Sequence, residues 1–514
     1  MRQKEAYGAR RRKFEPLFEH KKTAYSFLSH TRAESFKVSS DTFSINTMRP
    51  PRGERIVFVA ILHVSMFPFL HTLEERMKKL KEKLGLRLMP WPLFLLGLTL
   101  LLVSFVFMPH VVELALSLAL FMAPLWLPIL IVGGAWTLWV ILRRSEFIAA
   151  QNYMLLEIKP PRGLEKTPLA MEAVLSGMHL APGEATWYKK YIVGAMRPWW
   201  SLEIASLEGQ VHFFIWTRTG FRRVIEAQMY AQYPGVQIVE ATDYTRLITA
   251  KSEDWSIWGC DFAHTDKDPV PIKTYVEYGL DKVQKEHEQI DPLANLIEFM
   301  GSMKKGEHLW LQFIIRVHKG EKYGKLNSEG KVYTWKDEAK ELVDKIRKAT
   351  RDPYVDPTTG EERPGFPNPT KGQSEKIAAI ERNVSKFGFD VGVRGVYLAR
   401  PDVFDPIVIS GLTGIFKQFS SEGWNGFKPS GWMTEFDDYP WELGVNRLKE
   451  KYRRWLVEAY RRRQFFYDPF KKDAMVMSTE ELATVFHIPS RAITTPSLTR
   501  IQSATSEAPS NLPV

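Results

Sequence analysis

No segment of the sequence combines the residues that phosphate, metal or hydrolytic chemistry requires. A P-loop needs Gly-Lys followed by Ser or Thr, whereas residues 324–326 read Gly-Lys-Leu and residues 330–332 read Gly-Lys-Val. The His287-Glu288 pair lacks the second histidine of an HExxH zinc motif, and no GxSxG elbow occurs. The acidic stretch 352–362 lacks the ligand spacing of a calcium loop, and we interpret Asp437-Asp438 as exposed turn acids. We therefore predict no catalytic, cofactor-binding or metal-binding residues, and a protein that is not an enzyme.

The densest charge lies in residues 444–466, where the sequence GVNRLKEKYRRWLVEAYRRRQFF predicts a helix. Its cations are opposed only by Glu450 and Glu458, and Trp455 and Tyr460 are available for stacking on bases. The cations that could contact phosphates of DNA or lipid are Arg447, Lys449, Lys451, Arg453, Arg454, Arg461, Arg462 and Arg463. The alternative is a basic face on a packed helix, or a face turned toward an anionic membrane.

The composition limits the class of protein. The 514 residues leave room for about three domains, and 45% hydrophobic with 25% charged residues is typical of folded chains. A formal net charge of +11 favours anionic neighbours, either nucleic acid or the inner leaflet of a membrane. The single cysteine, Cys260, excludes an intramolecular disulfide and any CxxC metal site.

Residues 91–142 contain two long apolar runs separated by the short stretch 109–113, in which Glu113 is the one formally charged residue. An apolar run of about 20 residues is what a helix needs to cross the hydrocarbon of a bilayer. We therefore predict a transmembrane helical hairpin over 91–144, in which both helices satisfy their own backbone hydrogen bonds. The alternative is a buried helical hairpin in the core of a soluble protein.

Basic residues lie on both outer flanks of this hairpin, and the connecting stretch contains no Lys or Arg. Because Lys and Arg favour the cytoplasmic side, both termini and the bulk of the chain are expected in the cytoplasm, with the protein crossing the membrane more than once. The flanking cations singled out are Lys78, Lys79, Lys81, Lys83, Arg143 and Arg144.

The two ends of the chain differ from its middle. Residues 1–55 are polar and basic and predict a disordered arm, while 56–90 form an apolar and basic segment next to the membrane. Within that segment, residues 56–73 are uncharged, and a third span there is an open alternative. Residues 489–514 are rich in Ser, Thr and Pro, as linkers are.

After Arg144 the pattern becomes that of an α+β protein. Residues 145–250 predict strands at 153–159, 201–206, 211–217 and 236–240, with helices after Thr167-Pro168 and over 219–232. The order β-α-β-β-α-β is the split βαβ arrangement called ferredoxin-like.

A second ferredoxin-like unit is predicted over 251–440, followed by basic C-terminal helices over 441–488. Its strands are expected at 271–279, 309–318 and 391–399, with a helix over 403–419. An insertion at 319–387 should form an α-hairpin of two charged helices, 334–349 and 374–386, joined by a Pro-rich loop.

The runs LLEIKPPRGLEKTPLAMEAVLSGMH (155–179), WWSLEIASLEGQVHFFIWTRTGFRRVIEAQMYAQYPGVQIVEATDYT (199–245), VGVRGVYLARPDVF and STEELATVFHIPS resemble the N-terminal, membrane-anchored module of bacterial conjugation ATPases. These are TraG/TraD-like and TraC-like proteins of type IV secretion systems. In that family a RecA-like ATPase follows the module, and the tail APSNLP resembles the linker that leads into it. The ATPase segment is absent from this sequence, so no ATP-binding residue can be carried over.

The resemblance implies a non-catalytic, inner-membrane anchoring and scaffold component of a conjugative DNA-transfer or type IV secretion-like system. Its expected partners are membrane lipids, a RecA-like ATPase on a separate chain, DNA, and further copies of itself by analogy with ring-forming motors. The alternative hypothesis, from the basic helix alone, is a membrane-tethered nucleic-acid-binding protein unrelated to secretion.

Overall fold

The computed structural model describes residues 90–161, 164–180, 184, 186–247, 254–281, 291–355, 362–436, 445–490 and 500. Several predicted features lie outside these residues: the arm 1–55, the segment 56–89 with Lys78, Lys79, Lys81 and Lys83, the pairs His287-Glu288 and Asp437-Asp438, and almost all of the tail 489–514.

The described chain is a mixed α+β protein, as predicted. The α-helices are α1 Pro90–Phe107, α2 Pro109–Phe121, α3 Ala123–Ala149, α4 Pro168–Gly177, α5 Arg222–Gln232, α6 Ala294–Gly301, α7 Trp335–Ala349, α8 Lys371–Ser385, α9 Pro406–Gly414, α10 Val445–Arg461 and α11 Thr479–Val485. The strands are β1 Tyr153–Lys159, β2 Trp199–Leu207, β3 Gln210–Arg218, β4 Gln237–Ala241, β5 Ser256–His264, β6 Glu307–Val317, β7 Arg351–Val355, β8 Glu362–Pro367, β9 Gly388–Ala399, β10 Phe427–Ser430 and β11 Met475–Ser478. Short 3₁₀ turns lie at Thr219–Phe221, Tyr244–Leu247, Lys417–Phe419 and Trp432–Glu435, and a π-helix at Tyr188–Ile192.

Nine of these strands form one antiparallel sheet. Its order is β10-β5-β9-β6-β2-β3-β1-β4, and β11 adds to one end of β9. The two halves of the chain meet where β2 pairs with β6, from Trp199 opposite Arg316 to Leu207 opposite His308. The predicted first and second units therefore share a single sheet and a continuous core.

Both faces of the sheet are covered. Because side chains alternate along a strand, Leu156 on β1 points into one apolar cluster and the adjacent Leu155 into another. The first face packs against α4, α5, α6, α9 and α11. The second face packs against the C-terminal half of α10 and the segment 463–470, which carry Leu456, Tyr460 and Phe465 into the core.

The predicted insertion, residues 319–387, contains two helices, α7 and α8, that pack on one another through Val343, Ile377 and Ile380, with Leu342 and Ile346 at the margin. Its connection differs from the prediction, since residues expected to form an irregular loop instead pair as the hairpin β7–β8.

The prediction of a strand at 271–279 is wrong, and the first strand of the second half is β5. Residues 271–279 form turns, in which the backbone N–H of Ile272 donates to Glu481 Oε1 at 3.0 Å and that of Tyr275 to Thr484 Oγ1 at 3.0 Å. Side chains of α11 thus take the place of a neighbouring strand.

The apolar region 90–149 consists of three helices, because the chain breaks at Met108 and again at Met122. The second predicted span is therefore divided between α2 and α3. Among the described residues, α3 is long and apolar enough to cross a membrane, with 11% of its most apolar window buried. The helices on either side of Met108 would count as one further, broken span, bent by 112°.

Candidate membrane and phosphate interface

The basic helix α10 lies across the second face of the sheet. Leu456 and Tyr460 point inward and are fully buried, whereas Arg447, Lys451 and Arg454 are exposed. The spacing of these three cations, four and then three residues, puts them on one side of a helix. The helix therefore has a basic outward stripe on the side opposite its core-facing residues.

Most cations of this region also have partners in the chain. Arg454 Nε donates to Glu450 Oε1 at 2.9 Å, and Arg462 Nε donates to Glu458 Oε1 at 2.5 Å. The remaining contacts are Arg453 with Glu450 at 3.9 Å, Lys451 Nζ at 5.0 Å from the Trp455 ring, Lys449 Nζ at 5.7 Å from the Phe436 ring, and Arg461 Nε donating to the Thr245 carbonyl at 3.1 Å. Internal pairing reduces the charge that α10 presents to a partner.

Arg463 differs from the other seven cations because it is buried. The helix ends at Arg461, and a left-handed φ of 50° at Arg463 turns its side chain toward the sheet. There Nε donates to Glu203 Oε1 at 3.0 Å and Nη1 donates to Asp243 Oδ2 at 2.6 Å. Arg463 is 1% exposed and offers no surface for DNA or lipid.

Glu203 is the centre of this buried network. It accepts hydrogen bonds from the Tyr244 hydroxyl at 2.8 Å and from Gln312 Nε2 at 3.0 Å, in addition to those from Arg463. Burial works against the charge of Arg463, but Glu203 and Asp243 outweigh it and raise the pKa of Arg463 well above its usual value. Burial also raises the pKa of Tyr244, so this hydroxyl remains a donor.

The network continues as a polar row across four strands. Glu203 on β2 is in register with Gln312 on β6, which faces Arg394 on β9, which faces Asp261 on β5. Arg394 Nε donates to Asp261 Oδ1 at 2.8 Å, and all four side chains are buried. Such a row fixes the register of β2, β6, β9 and β5, because a slip by one residue would leave buried charges without their partners.

A second buried carboxylate, Asp390 on β9, makes acid stability testable. Burial opposes its ionisation, but hydrogen bonds from His318 Nδ1 at 2.6 Å and Arg316 Nε at 2.9 Å outweigh that effect and lower the pKa of Asp390. A carboxylate with a lowered folded-state pKa stabilises the fold above its unfolded pKa of about 4, and that stability is lost as the pH falls through the folded value.

We therefore expect Asp390→Asn to reduce stability at pH 7 and to flatten the decline in stability below about pH 4. Denaturant unfolding at several pH values would measure both effects. An unchanged slope below pH 4 would show that Asp390 does not set the acid limit.

The flank cations Arg143 and Arg144 lie in the last turns of α3, beside the sheet. Arg143 Nε donates to the Ile192 carbonyl at 2.9 Å, and the Arg144 guanidinium lies 5.6 Å from the Tyr467 ring centre. Phe147 and Ile148 pack against the second-face cluster. Only three residues separate Ala149 from the start of β1, so α3 joins the sheet without a flexible linker.

Two groups of residues in this geometry were not predicted from the sequence. One is the set of buried partners Glu203 and Asp243, which carry no distinguishing pattern. The other is residues 186–193, TWYKKYIV, in which two adjacent lysines lie between aromatic residues, a composition that indicates a surface contact.

Among the described residues, no group of three or more His, Cys, Asp or Glu side chains could hold a metal ion. A family model described as "Domain of unknown function (DUF8128)" matches residues 144–500, which begin where the apolar run of α3 ends. No curated protein matches the chain.

Proposed function

The chain belongs to the DUF8128 family, whose domain covers more than half of it, and from that premise we propose that it is a non-enzymatic membrane scaffold. In this proposal α3 lies in the bilayer and the nine-stranded sheet is held at a fixed position beside the membrane surface. The observation that carries it is the direct and braced passage of α3 into β1.

The bracing comes from several contacts along the C-terminal half of the helix. Trp139 Nε1 donates to the Tyr191 carbonyl at 3.2 Å, and the Arg218 guanidinium lies 5.3 Å from the Phe147 ring centre. Gly194, with φ of +72°, allows the chain to pass so close to α3 that a Cβ there would lie 2.4 Å from the Arg143 carbonyl carbon. A helix held in this way would transmit its orientation to the sheet.

We propose in addition that the sheet consists of two ferredoxin-like units joined edge to edge. The order β4-β1-β3-β2 in the first half and β10-β5-β9-β6 in the second are the same pattern, with helices linking the same pairs. A hairpin formed by α3 with the preceding apolar helices, and hence a multi-pass arrangement in an inner membrane, belongs to the same proposal.

The partner we propose is a RecA-like ATPase on a separate chain, within a conjugative or type IV secretion-like system. It is supported by the resemblance of residues 155–179 and 199–245 to that family's membrane module. Co-purification of such an ATPase, encoded next to this gene, would support the assignment. If neither the neighbouring genes nor the co-purified proteins include such an ATPase, the assignment to a secretion system would be contradicted, while the proposal of a membrane scaffold would stand.

A membrane-tethered nucleic-acid-binding protein is the second candidate, favoured by the outward stripe of Arg447, Lys451 and Arg454 on α10. DNA binding whose affinity falls steeply with salt, and is abolished when these three are changed to Glu, would favour it. Arg463 must be left unchanged in that experiment because it is part of the core.

Rigid coupling between α3 and the sheet gives a direct test of the scaffold. Spin labels at Ile129→Cys on α3 and Ile407→Cys on α9 sit on exposed side chains, while the native Cys260 is fully buried and burial raises its thiol pKa, so it stays unlabelled. In nanodiscs we expect double electron–electron resonance to give one narrow distribution of the distance between the two spin labels.

The matched control uses two glycines. Gly194→Ala should broaden the distribution because its Cβ would collide with the backbone of α3, whereas Gly220→Ala should not, since nothing lies within 4 Å of a Cβ there. A broad distribution in the chain that keeps both glycines would contradict the scaffold, because α3 would then be attached to the sheet without fixing its orientation.

A further inference from the structure

Residues 186–193, here called the Trp187 segment, lie against the side of α3 that carries Trp136, Trp139 and Arg143. The Trp187 ring stacks on Trp136 with centroids 6.1 Å apart, and Tyr191 lies 5.9 Å from the same ring. A π-helix at Tyr188–Ile192 gives the segment its shape. It is therefore packed on α3, which among the described residues is long and apolar enough to span a membrane.

The outer surface of the segment is aromatic and basic. Trp187 is 62% exposed and Tyr188 is 61% exposed, while Lys189 follows directly and is also exposed. Lys190 Nζ lies 5.3 Å from the Tyr191 ring centre, so its ammonium group is held over an aromatic face at the edge of the segment. Exposed Trp and Tyr with adjacent Lys are the composition of a membrane–water interface.

The depth of the segment can be estimated from α3. Residues 123–142 are uncharged and would span about 30 Å at 1.5 Å per residue, which matches the hydrocarbon, so Arg143 and Arg144 mark the headgroup level. Trp136 lies seven residues earlier, about 10 Å deeper along an upright helix. Interfacial segments insert by about 5–10 Å, so the stacked Trp187 falls in the range expected for them.

We propose that the Trp187 segment is a second membrane contact, with Trp187 and Tyr188 at the boundary of headgroups and acyl chains and Lys189 and Lys190 on the phosphates of anionic lipids. This inference rests on the proposed membrane insertion of α3 and deepens it. Two contacts, one spanning and one interfacial, restrain the tilt of α3 and of the attached sheet relative to the membrane plane, which a single helix would leave free.

Tyr188→Cys tests the depth directly in the full-length chain. Its side chain is mostly exposed, and a spin label there can be read by its collisions with oxygen, which concentrates in lipid, and with a water-soluble nickel complex. Phe366→Cys on β8, where the native side chain is 94% exposed, is the matched control. In nanodiscs containing anionic lipid we expect oxygen collisions to dominate at 188 and nickel collisions at 366.

Replacing both Lys189 and Lys190 with Glu should shift the label at 188 toward water while the protein stays in the disc, because α3 is unchanged. If nickel collisions dominate at position 188 in the protein that keeps Lys189 and Lys190 and is still inserted in the disc, the interfacial contact is contradicted, but the membrane insertion of α3 is not. Failure of the protein to enter the disc would instead overturn the proposed function.

Discussion

Replacing Arg463 with Met is expected to destabilise the folded protein by about 3–5 kcal/mol, the range for removing one partner of a buried ion pair. The change leaves Glu203 and Asp243 without their cation, and Glu203 is fully buried among Ser201, Tyr244 and Gln312. Chemical unfolding of the detergent-solubilised chain, followed by circular dichroism, would measure the loss.

The matched control is the preceding residue. Arg462→Met removes the same side chain, but Arg462 is exposed and pairs with Glu458 at the surface. Exposed ion pairs contribute about 0–1 kcal/mol. Similar losses for the two variants would contradict the assignment of Arg463 to the core.

The second large effect concerns α3. Ile129 is 71% exposed on this helix, and Arg at the centre of a membrane span costs about 2.5–3.5 kcal/mol of insertion free energy. We expect Ile129→Arg to move a large share of the protein out of the membrane fraction, because that cost corresponds to a change of roughly 100-fold in an equilibrium constant.

Ile407→Arg on α9 separates this effect from a general response to a surface arginine. Ile407 is 77% exposed, and outside lipid an exposed Ile→Arg change should alter stability by no more than about 0.5 kcal/mol. Equal membrane recovery for both variants would contradict a lipid environment for α3. A loss confined to Ile129→Arg would locate the lipid at that helix.

Local sequence patterns predicted much of the fold, because many helices and strands depend on interactions between residues that are close in the sequence. The strands of the first half are short, mostly apolar runs, as strands buried on both faces are. Ser478 with Glu481 forms the capping box that opens α11. The charged helices α7 and α8 were found for the same reason: each has a narrow apolar stripe for the other.

Contacts between residues far apart in the sequence explain why β5 was not predicted and why residues 271–279 were wrongly predicted as a strand. The strand β5 reads SIWGCDFAH, and its Asp261 looks unsuited to a core until Arg394, 133 residues later, is known to pair with it. Residues 271–279 alternate like a strand, but α11 supplies their hydrogen-bond partners. No local signal could have identified either arrangement.

The candidate site also contains residues whose position could be predicted from the sequence and residues whose position could not. Arg461, Arg462 and Arg463 are identical in type, and only the end of α10 at Arg461 directs the last of them into the core. The helix end is closed by hydrogen bonds from the N–H of Arg463 to the Tyr460 carbonyl and from the N–H of Gln464 to the Ala459 carbonyl, with Arg463 rather than a glycine in the left-handed conformation. The sequence therefore lacks the glycine that usually marks such an end. The Trp187 segment, by contrast, carried its signal in its own composition.

Alkaline extraction of membranes from cells that express the full-length protein is the most direct test of membrane insertion. Carbonate at high pH releases proteins held by charge or by other proteins, and leaves those that cross the hydrocarbon. We predict that the protein stays in the pellet, and that removing residues 90–142 releases it. Recovery of the intact protein in the supernatant would contradict the account, because α3 would then not lie in lipid.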